Sequence, residues 1–343
     1  MNIENLKKVH DSNNQFQVLV DSYQQIENAW AAETNLTNEI SSEIKNIIVA
    51  GMGGSAISAD LLSSFLSDEL NMPFNSCRDY SLSKYADNNS LIIASSYSGN
   101  TEETISCFKD ALKRGCKIIA VSTGGELKDL ALENNISWIS LQKGFQPRFA
   151  LGASFFTMLK ILQTLKLIPA QDKIVNEIIS LWKQKGNEYS SDKNQAIATA
   201  EKLIGFIPII YSSNKLEAVG YRLKCQFNEN SKLHAFSAVI PELNHNEIVG
   251  WETFSEKQFN AKLIAILDDD NHPQIQKRFD ITHDLTQRSK VEVITFRSSE
   301  KKLKVRIMDL IYLGDWITYY LSILRGFDPS EIDYIMELKQ SLA

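Results

Sequence analysis

Two short loops of this chain carry residue types able to hold an oxyanion. Gly51-Met52-Gly53-Gly54-Ser55-Ala56 follows the β-branched run Ile47-Ile48-Val49-Ala50 and leads into a helical pattern. Its glycines permit a tight turn and expose backbone N–H groups at a helix start, which suits a phosphate or sugar oxygens. The second loop, Ser95-Ser96-Tyr97-Ser98-Gly99-Asn100-Thr101-Glu102-Glu103-Thr104, ends an apolar run and opens another helix. There the hydroxyls of Ser96, Ser98 and Thr101 can converge with N–H groups on one phosphomonoester. Capping by Asn100 or Thr101 accounts for one hydroxyl, though not for all three together with Gly99. Glu102 and Glu103 complement the helix N-terminus.

The first loop also fits G-x-G-x-x-A, the dinucleotide fingerprint, and Asp79 follows the second strand at the distance a ribose-binding acid needs. An NAD-dependent dehydrogenase is therefore a rival, beside the plain possibility of a tight strand-to-helix turn. Arg78 and Asp79 read as a strand-end pair. Elsewhere, Glu229 ends a helical stretch with Leu216, Val219, Leu223 and Phe227 on one face, so position alone makes it a solvated helix-end carboxylate; such a group also suits proton transfer between adjacent carbons. His245 lies in a polar Asn-His-Asn loop, and Arg148 follows Gln146-Pro147, where proline stiffens the backbone that aims it. His234 reads as structural, close to the Glu229 loop. His10, His272 and His283 earn no role.

These groups need a frame. From Asn46 onward β-branched runs alternate with helical patterns, as in a doubly wound parallel sheet: Ile47 to Ala50, Pro73 to Cys77, Leu91 to Ser95, Lys117 to Val121 and Ile136 to Ile139. That is a flavodoxin-like set of five. A second series follows at Phe206 to Tyr211, Lys262 to Leu267 and Val291 to Phe296. Residues 1–45 read as polar helix with an apolar stripe (Phe16, Val20, Tyr23, Ile26, Trp30), expected to pack on the first sheet. With 343 residues the chain exceeds one ordinary core. The fold class is α/β, two flavodoxin-like domains, each a parallel sheet flanked by helices: 1–189, with the added N-terminal helix and a linker helix, and 190–343.

Composition narrows the partners. Lys+Arg 36 against Asp+Glu 42 gives a net charge of -6, the wrong sign for a generic binder of nucleic acid. Cys77, Cys107, Cys116 and Cys225 form no C-x-x-C pair and read as reduced core thiols, and the five histidines form no ligand cluster, so no metal is expected. The N-terminus lacks a signal-peptide core, and the most lipid-like stretch, Phe149 to Leu159, is too short to span a bilayer; the expected location is the cytoplasm, away from membranes.

GMGGSAIS and SSYSGNTEET resemble the sugar-isomerase (SIS) domain, a five-stranded phosphosugar-binding fold. Gln146-Pro147-Arg148, Phe227-Asn228-Glu229-Asn230, Glu242-Leu243-Asn244-His245-Asn246-Glu247 and Leu324-Arg325-Gly326-Phe327-Asp328-Pro329 resemble, in order, the bifunctional phosphoglucose/phosphomannose isomerase family, from about Asn46 to the C-terminus. The resemblance implies a tandem SIS enzyme that interconverts glucose 6-phosphate, and mannose 6-phosphate, with fructose 6-phosphate through a cis-enediol and without a cofactor. It implies phosphate binding by the Gly53-Gly54-Ser55 loop with Ser96, Ser98 and Thr101. It further implies Glu229 as the base, His245 as the group assisting ring opening, Arg148 as the stabiliser of the enediolate, Lys339 near the ring oxygen, and a homodimer in which His245 serves its own or the neighbouring subunit's site. The isomerase half of glucosamine-6-phosphate synthase is the nearest enzyme rival, but residue 2 is Asn and offers no terminal cysteine nucleophile. A non-catalytic phosphosugar-sensing SIS protein is a rival of another class; the first 45 residues carry no DNA-reading helix to serve it.

Overall fold

A computed structural model describes residues 3–34, 36, 40, 43–256 and 260–342. The chain divides into two compact units: Asp21–Ser180, and Met1–Val20 together with Leu181–Ala343. The division falls inside one helix, Asp172–Tyr189.

The chain opens with α1 (Ile3–His10) and α2 (Gln15–Val20), then α3 (Ser22–Ala31). The unit Asp21–Ser180 continues with β1 (Asn46–Ala50), α4 (Gly53–Phe65), β2 (Phe74–Cys77), β3 (Ser90–Ser95), α5 (Glu102–Lys113), β4 (Lys117–Ser122), α6 (Gly125–Glu133), β5 (Ser137–Ser140) and α7 (Leu151–Thr164). All five strands run parallel in the order β2-β1-β3-β4-β5. Ile47, Val49, Leu91 and Ile93 are fully buried, as are Ala50, Ile92 and Ala94 on the opposite face, so the central strands are apolar on both faces, as helix-covered parallel strands must be. Each strand lies within a residue or two of its place in the sequence reading.

The other unit continues through α8 (Asp172–Tyr189), α9 (Gln195–Leu203), β6 (Ile207–Ser213), α10 (Glu217–Glu229), β7 (Phe236–Ile240), β8 (Ala261–Leu267), α11 (Pro273–Arg288), β9 (Val293–Arg297), α12 (Leu303–Leu324) and α13 (Asp333–Leu342). Its sheet has four parallel strands in the order β7-β6-β8-β9. The edge strand β7 was absent from the sequence reading. At its core lies α12, buried around its whole circumference from Val305 to Ile323. Trp182 stacks on Tyr312 at 4.7 Å, and Trp316 packs between Tyr312 and Tyr320.

The N-terminal residues divide where one added helix was expected. Phe16 of α2 meets Trp316 edge-on at 5.3 Å, and the hydroxyls of Tyr312 and Tyr319 donate to the Leu19 carbonyl and the Asp11 carboxylate. α3 packs on α7, in the unit of the first sheet, whereas α1 and α2 pack on α12.

Candidate active site

β1 sends its chain outward to β2, while β3 lies on its other side, so the connections diverge at the carboxyl ends of β1 and β3. Such a switch point leaves a crevice lined by both loops. Gly53 and Ser98 lie exposed at its surface, Thr101 is half-buried, and Ser55 and Ser96 are buried beneath. The Ser96 hydroxyl pairs with that of Thr101 at 2.8 Å and accepts the Gly99 N–H at 3.0 Å, and Ser98 accepts the Asn100 N–H at 3.2 Å. Helix capping, expected of Thr101 or Asn100, goes elsewhere: Thr101 makes no side-chain cap bond, and Asn100 accepts the Glu126 N–H at 2.9 Å. A Cβ on Gly99, whose φ is +76°, would lie 1.7 Å from the Gly124 carbonyl oxygen, so the loop closes on its neighbour only with glycine there.

Tyr97 carries a role that the sequence reading missed. Its hydroxyl accepts the Phe145 N–H at 3.0 Å and donates to the Gln142 carbonyl at 2.9 Å, tying the hydroxyl loop to the segment that leads into Pro147 and Arg148. Burial pushes its phenol above the usual range, so it stays a protonated donor. The one signal in the sequence is a lone aromatic among small hydroxyl residues.

Arg148 sits in the 3₁₀ turn Pro147–Phe149 and is only 4% exposed, which decides against a solvated loop arginine. A Cβ on Gly54 would stand 3.0 Å from the Pro147 carbonyl oxygen, so glycine at 54 brings the first loop against this turn. Gln25 of α3 fixes the turn from behind, donating to the Phe149 carbonyl at 2.9 Å and accepting the Ala153 N–H at 3.3 Å. Gly53, Gly54, Ser55, Ser96, Ser98, Thr101 and Arg148 thus come together within one unit.

Asp79 does not pair with Arg78. Its carboxylate accepts the Tyr80 N–H at 2.6 Å, closing its own turn, while Arg78 binds Asp60 and donates to Ser76 at 2.6 Å. Asp60, on α4, also accepts the Ser76 hydroxyl at 2.8 Å, so Arg78, Ser76 and Asp60 form one cluster.

The remaining candidates lie in the other unit. Glu229 is the last residue of α10 and half-buried; His245 is exposed in the 3₁₀ turn Glu242–His245 beyond β7; Lys339 is exposed on α13. His234 is exposed as well, correcting the structural reading. Glu229 and His245 are not brought together within this unit. α10 starts at the carboxyl end of β6 and runs back about 18 Å, so Glu229 lies beside the start of β7 and His245 beyond its end. A cleft of about 250 Å³ at the His245 end is lined by Glu217, Tyr221, Ser237, Glu242, Asn246 and Glu247. Three carboxylates make it a poor place for a phosphate and a better one for hydroxyls.

Two parallel sheets flanked by helices, the first with glycine and hydroxyl loops meeting at its switch point, define a SIS-type protein. Residues 192–342 match the family model described as bacterial phospho-glucose isomerase C-terminal SIS domain. The chain is 37% identical to the bifunctional phosphoglucose/phosphomannose isomerase of Caldicellulosiruptor bescii over 96% of this chain and 98% of that one. It is 34% identical to the enzyme of that name from Aquifex aeolicus over 87% and 90%. A solved structure from Clostridium difficile, described as a candidate phosphosugar isomerase, superposes with a TM-score of 0.68 at 17% identity, covering 98% of each chain. The chain belongs to the bifunctional phosphoglucose/phosphomannose isomerase family.

Proposed function

We propose that this protein is an aldose–ketose isomerase that interconverts glucose 6-phosphate and mannose 6-phosphate with fructose 6-phosphate, without a cofactor and through a cis-enediol. One coincidence carries the reading: a chain related over nearly its full length to enzymes of that name has a hydroxyl-lined crevice with a buried arginine beside it.

In this reading Gly53, Gly54, Ser55, Ser98 and Thr101 hold the phosphate, with Ser96 bracing Thr101 from below. After ring opening, assisted by His245, Glu229 takes the C2 proton of the aldose as the C1 carbonyl oxygen becomes a hydroxyl. Arg148 offsets the negative charge that develops on the enediolate oxygens. Return of the proton to C1 and loss of the O2 proton give the ketose. The enediol is planar at C2, so the face protonated on the way back decides which of the two aldoses forms. Lys339 completes the site near the ring oxygen.

The working form is a homodimer, in which His245 serves the neighbouring subunit's site. The separation of Glu229 and His245 along β7 supports this. The enzyme works in the cytoplasm; no helix among the described residues is long and apolar enough to cross a membrane.

The test is to incubate purified protein with fructose 6-phosphate, without added metal or nucleotide, and to separate the hexose phosphates by chromatography. Both aldoses should form, and Glu229→Gln should slow their formation by roughly 10²- to 10⁴-fold, the usual cost of losing a general base. Tight binding of fructose 6-phosphate without conversion would favour the sensing reading. Stabilisation by NAD, lost in Asp79→Ala, would favour the dehydrogenase.

A further inference from the structure

The segment Leu324-Arg325-Gly326-Phe327-Asp328-Pro329 stands out in the sequence, yet no step of the proposed chemistry uses it. It folds against the end of the helix that carries Glu229. α12 ends at Leu324, and Gly326, with φ +79°, turns the chain immediately after Arg325. The Arg325 guanidinium then donates to the carbonyl oxygens of Ser231 and, at 3.2 Å, Lys232. These carbonyls lie two and three residues beyond Glu229, where α10 has ended and Lys232 takes the left-handed conformation with φ +50°. That conformation costs a non-glycine residue backbone energy, which its surroundings can offset.

The surroundings do so from several sides. The Asn230 amide donates to the Thr318 hydroxyl at 3.1 Å, and the Ser231 hydroxyl donates to the Thr318 carbonyl at 2.8 Å, with Asn230 and Ser231 fully buried. The Lys232 ammonium donates to the Asp328 carbonyl. Asp328 is itself held, its carboxylate accepting the N–H groups of Ser330 at 2.6 Å and Ser12 at 3.1 Å. Further back on α10, Arg222 forms a buried ion pair with Asp315 of α12 at 2.8 Å, and Gln226 donates to the same carboxylate at 2.7 Å. Arg222, Gln226 and Glu229 recur at helical spacing, so the face of α10 that leads to Glu229 is pinned along α12.

We propose that Arg325 is a positioning residue for Glu229: by binding the Ser231 and Lys232 carbonyls it fixes the end of α10 and the direction from which the carboxylate meets the substrate carbon. This rests on the reading of Glu229 as the base. Both bonds leave the same Nη1, whose two N–H groups are held in the guanidinium plane, whereas the N–H groups of a lysine ammonium rotate about its terminal bond. Displacement of a reacting group by about 1 Å is enough to cost a hundredfold in rate.

The test compares Arg325→Ala, Arg325→Lys, Glu229→Gln and the double variant Arg325→Ala/Glu229→Gln in the full chain, with fructose 6-phosphate as substrate. Arg325→Ala should lower kcat by about 10- to 100-fold and leave KM within about twofold, because the phosphate loops belong to the other unit. Millimolar guanidinium should restore part of the loss. Arg325→Lys should fall between wild type and Arg325→Ala, and it carries the comparison if the alanine variant does not fold. In the Glu229→Gln background the Arg325 substitution should cost nothing further, since residues acting as one unit are not additive. An undiminished kcat in folded Arg325 variants, or a full additional loss in the double variant, overturns the positioning role alone. An undiminished kcat in Glu229→Gln overturns the base assignment, and the positioning role with it.

Discussion

The hydroxyl oxygens of Ser96 and Thr101 stand 2.8 Å apart across the loop that joins β3 to α5, and the same Ser96 oxygen accepts the Gly99 N–H at 3.0 Å. A buried serine thereby sets the position of a half-buried threonine, and through Gly99 the course of the loop that presents Ser98. If this loop holds the substrate phosphate, its contacts serve substrate and transition state alike.

Ser98→Ala combined with Thr101→Ala should therefore weaken affinity more than turnover, because uniform binding energy appears in KM. Two charge-assisted hydrogen bonds at about 1.5 kcal/mol or more each correspond to a loss of roughly a hundredfold. Calorimetric titration with 6-phosphogluconate checks this; an unchanged dissociation constant would move the phosphate site elsewhere.

If Glu229 and His245 of one site come from different subunits, variants inactive alone should complement when mixed. His245→Ala and Glu229→Gln chains exchanged at equal concentration form mixed dimers with one intact site each. Random exchange makes half of the dimers mixed, so recovery should approach about a quarter of wild-type activity. Absence of recovery after proven exchange places His245 in its own chain's site.

Asp110 of α5 binds Arg114 at 2.8 Å and accepts the Leu82 N–H at 3.0 Å, tying the chain beyond β2 to that helix. Burial alone would raise its carboxyl, but the bonds from Arg114 and Leu82 outweigh this and hold it below the usual carboxylate range. A pKa depressed by folding gives stability that is present above the unfolded value, near 4, and lost as pH falls through the folded one. Asp110→Asn should lower the melting temperature at pH 7 and flatten its decline below pH 4. An equal loss at every pH would show that the charge contributes nothing.

Four reduced core thiols were expected, yet only Cys107 is fully buried. Its sulfur lies 3.8 Å from that of Cys77, at the end of β2. The hydrogen bond between the two lowers the Cys77 thiol to about 7 against the opposing effect of burial, while Cys107 is pushed up. Iodoacetamide should label Cys77 ahead of Cys107, with a midpoint near pH 7 read by mass spectrometry. Faster labelling of Cys116 or Cys225 at neutral pH would contradict this.

The amino-acid sequence by itself determined the first sheet and its two loops. Ile47 to Ala50 and Leu91 to Ser95 are buried on both faces, and a run of that kind reads as a parallel strand wherever it stands. Gly53 and Gly99 take left-handed φ values of +50° and +76°, a turn signal local to the chain, whereas the close approach of Pro147 to Gly54 and of Gly124 to Gly99 is set by the fold. β7 escaped because it is a short edge strand: Phe236 is 56% exposed and Ser237 interrupts the apolar pattern. Tertiary structure alone decided the rest. Tyr97 reaches Phe145, Gln25 reaches Phe149, and Arg325 reaches Ser231, each across a long stretch of chain. Their targets are backbone N–H and carbonyl groups, which every residue carries, so no residue type in the sequence marks the partner. The distance between Glu229 and His245 likewise follows from the direction of α10 against its sheet, a relation that exists only once the strands have paired.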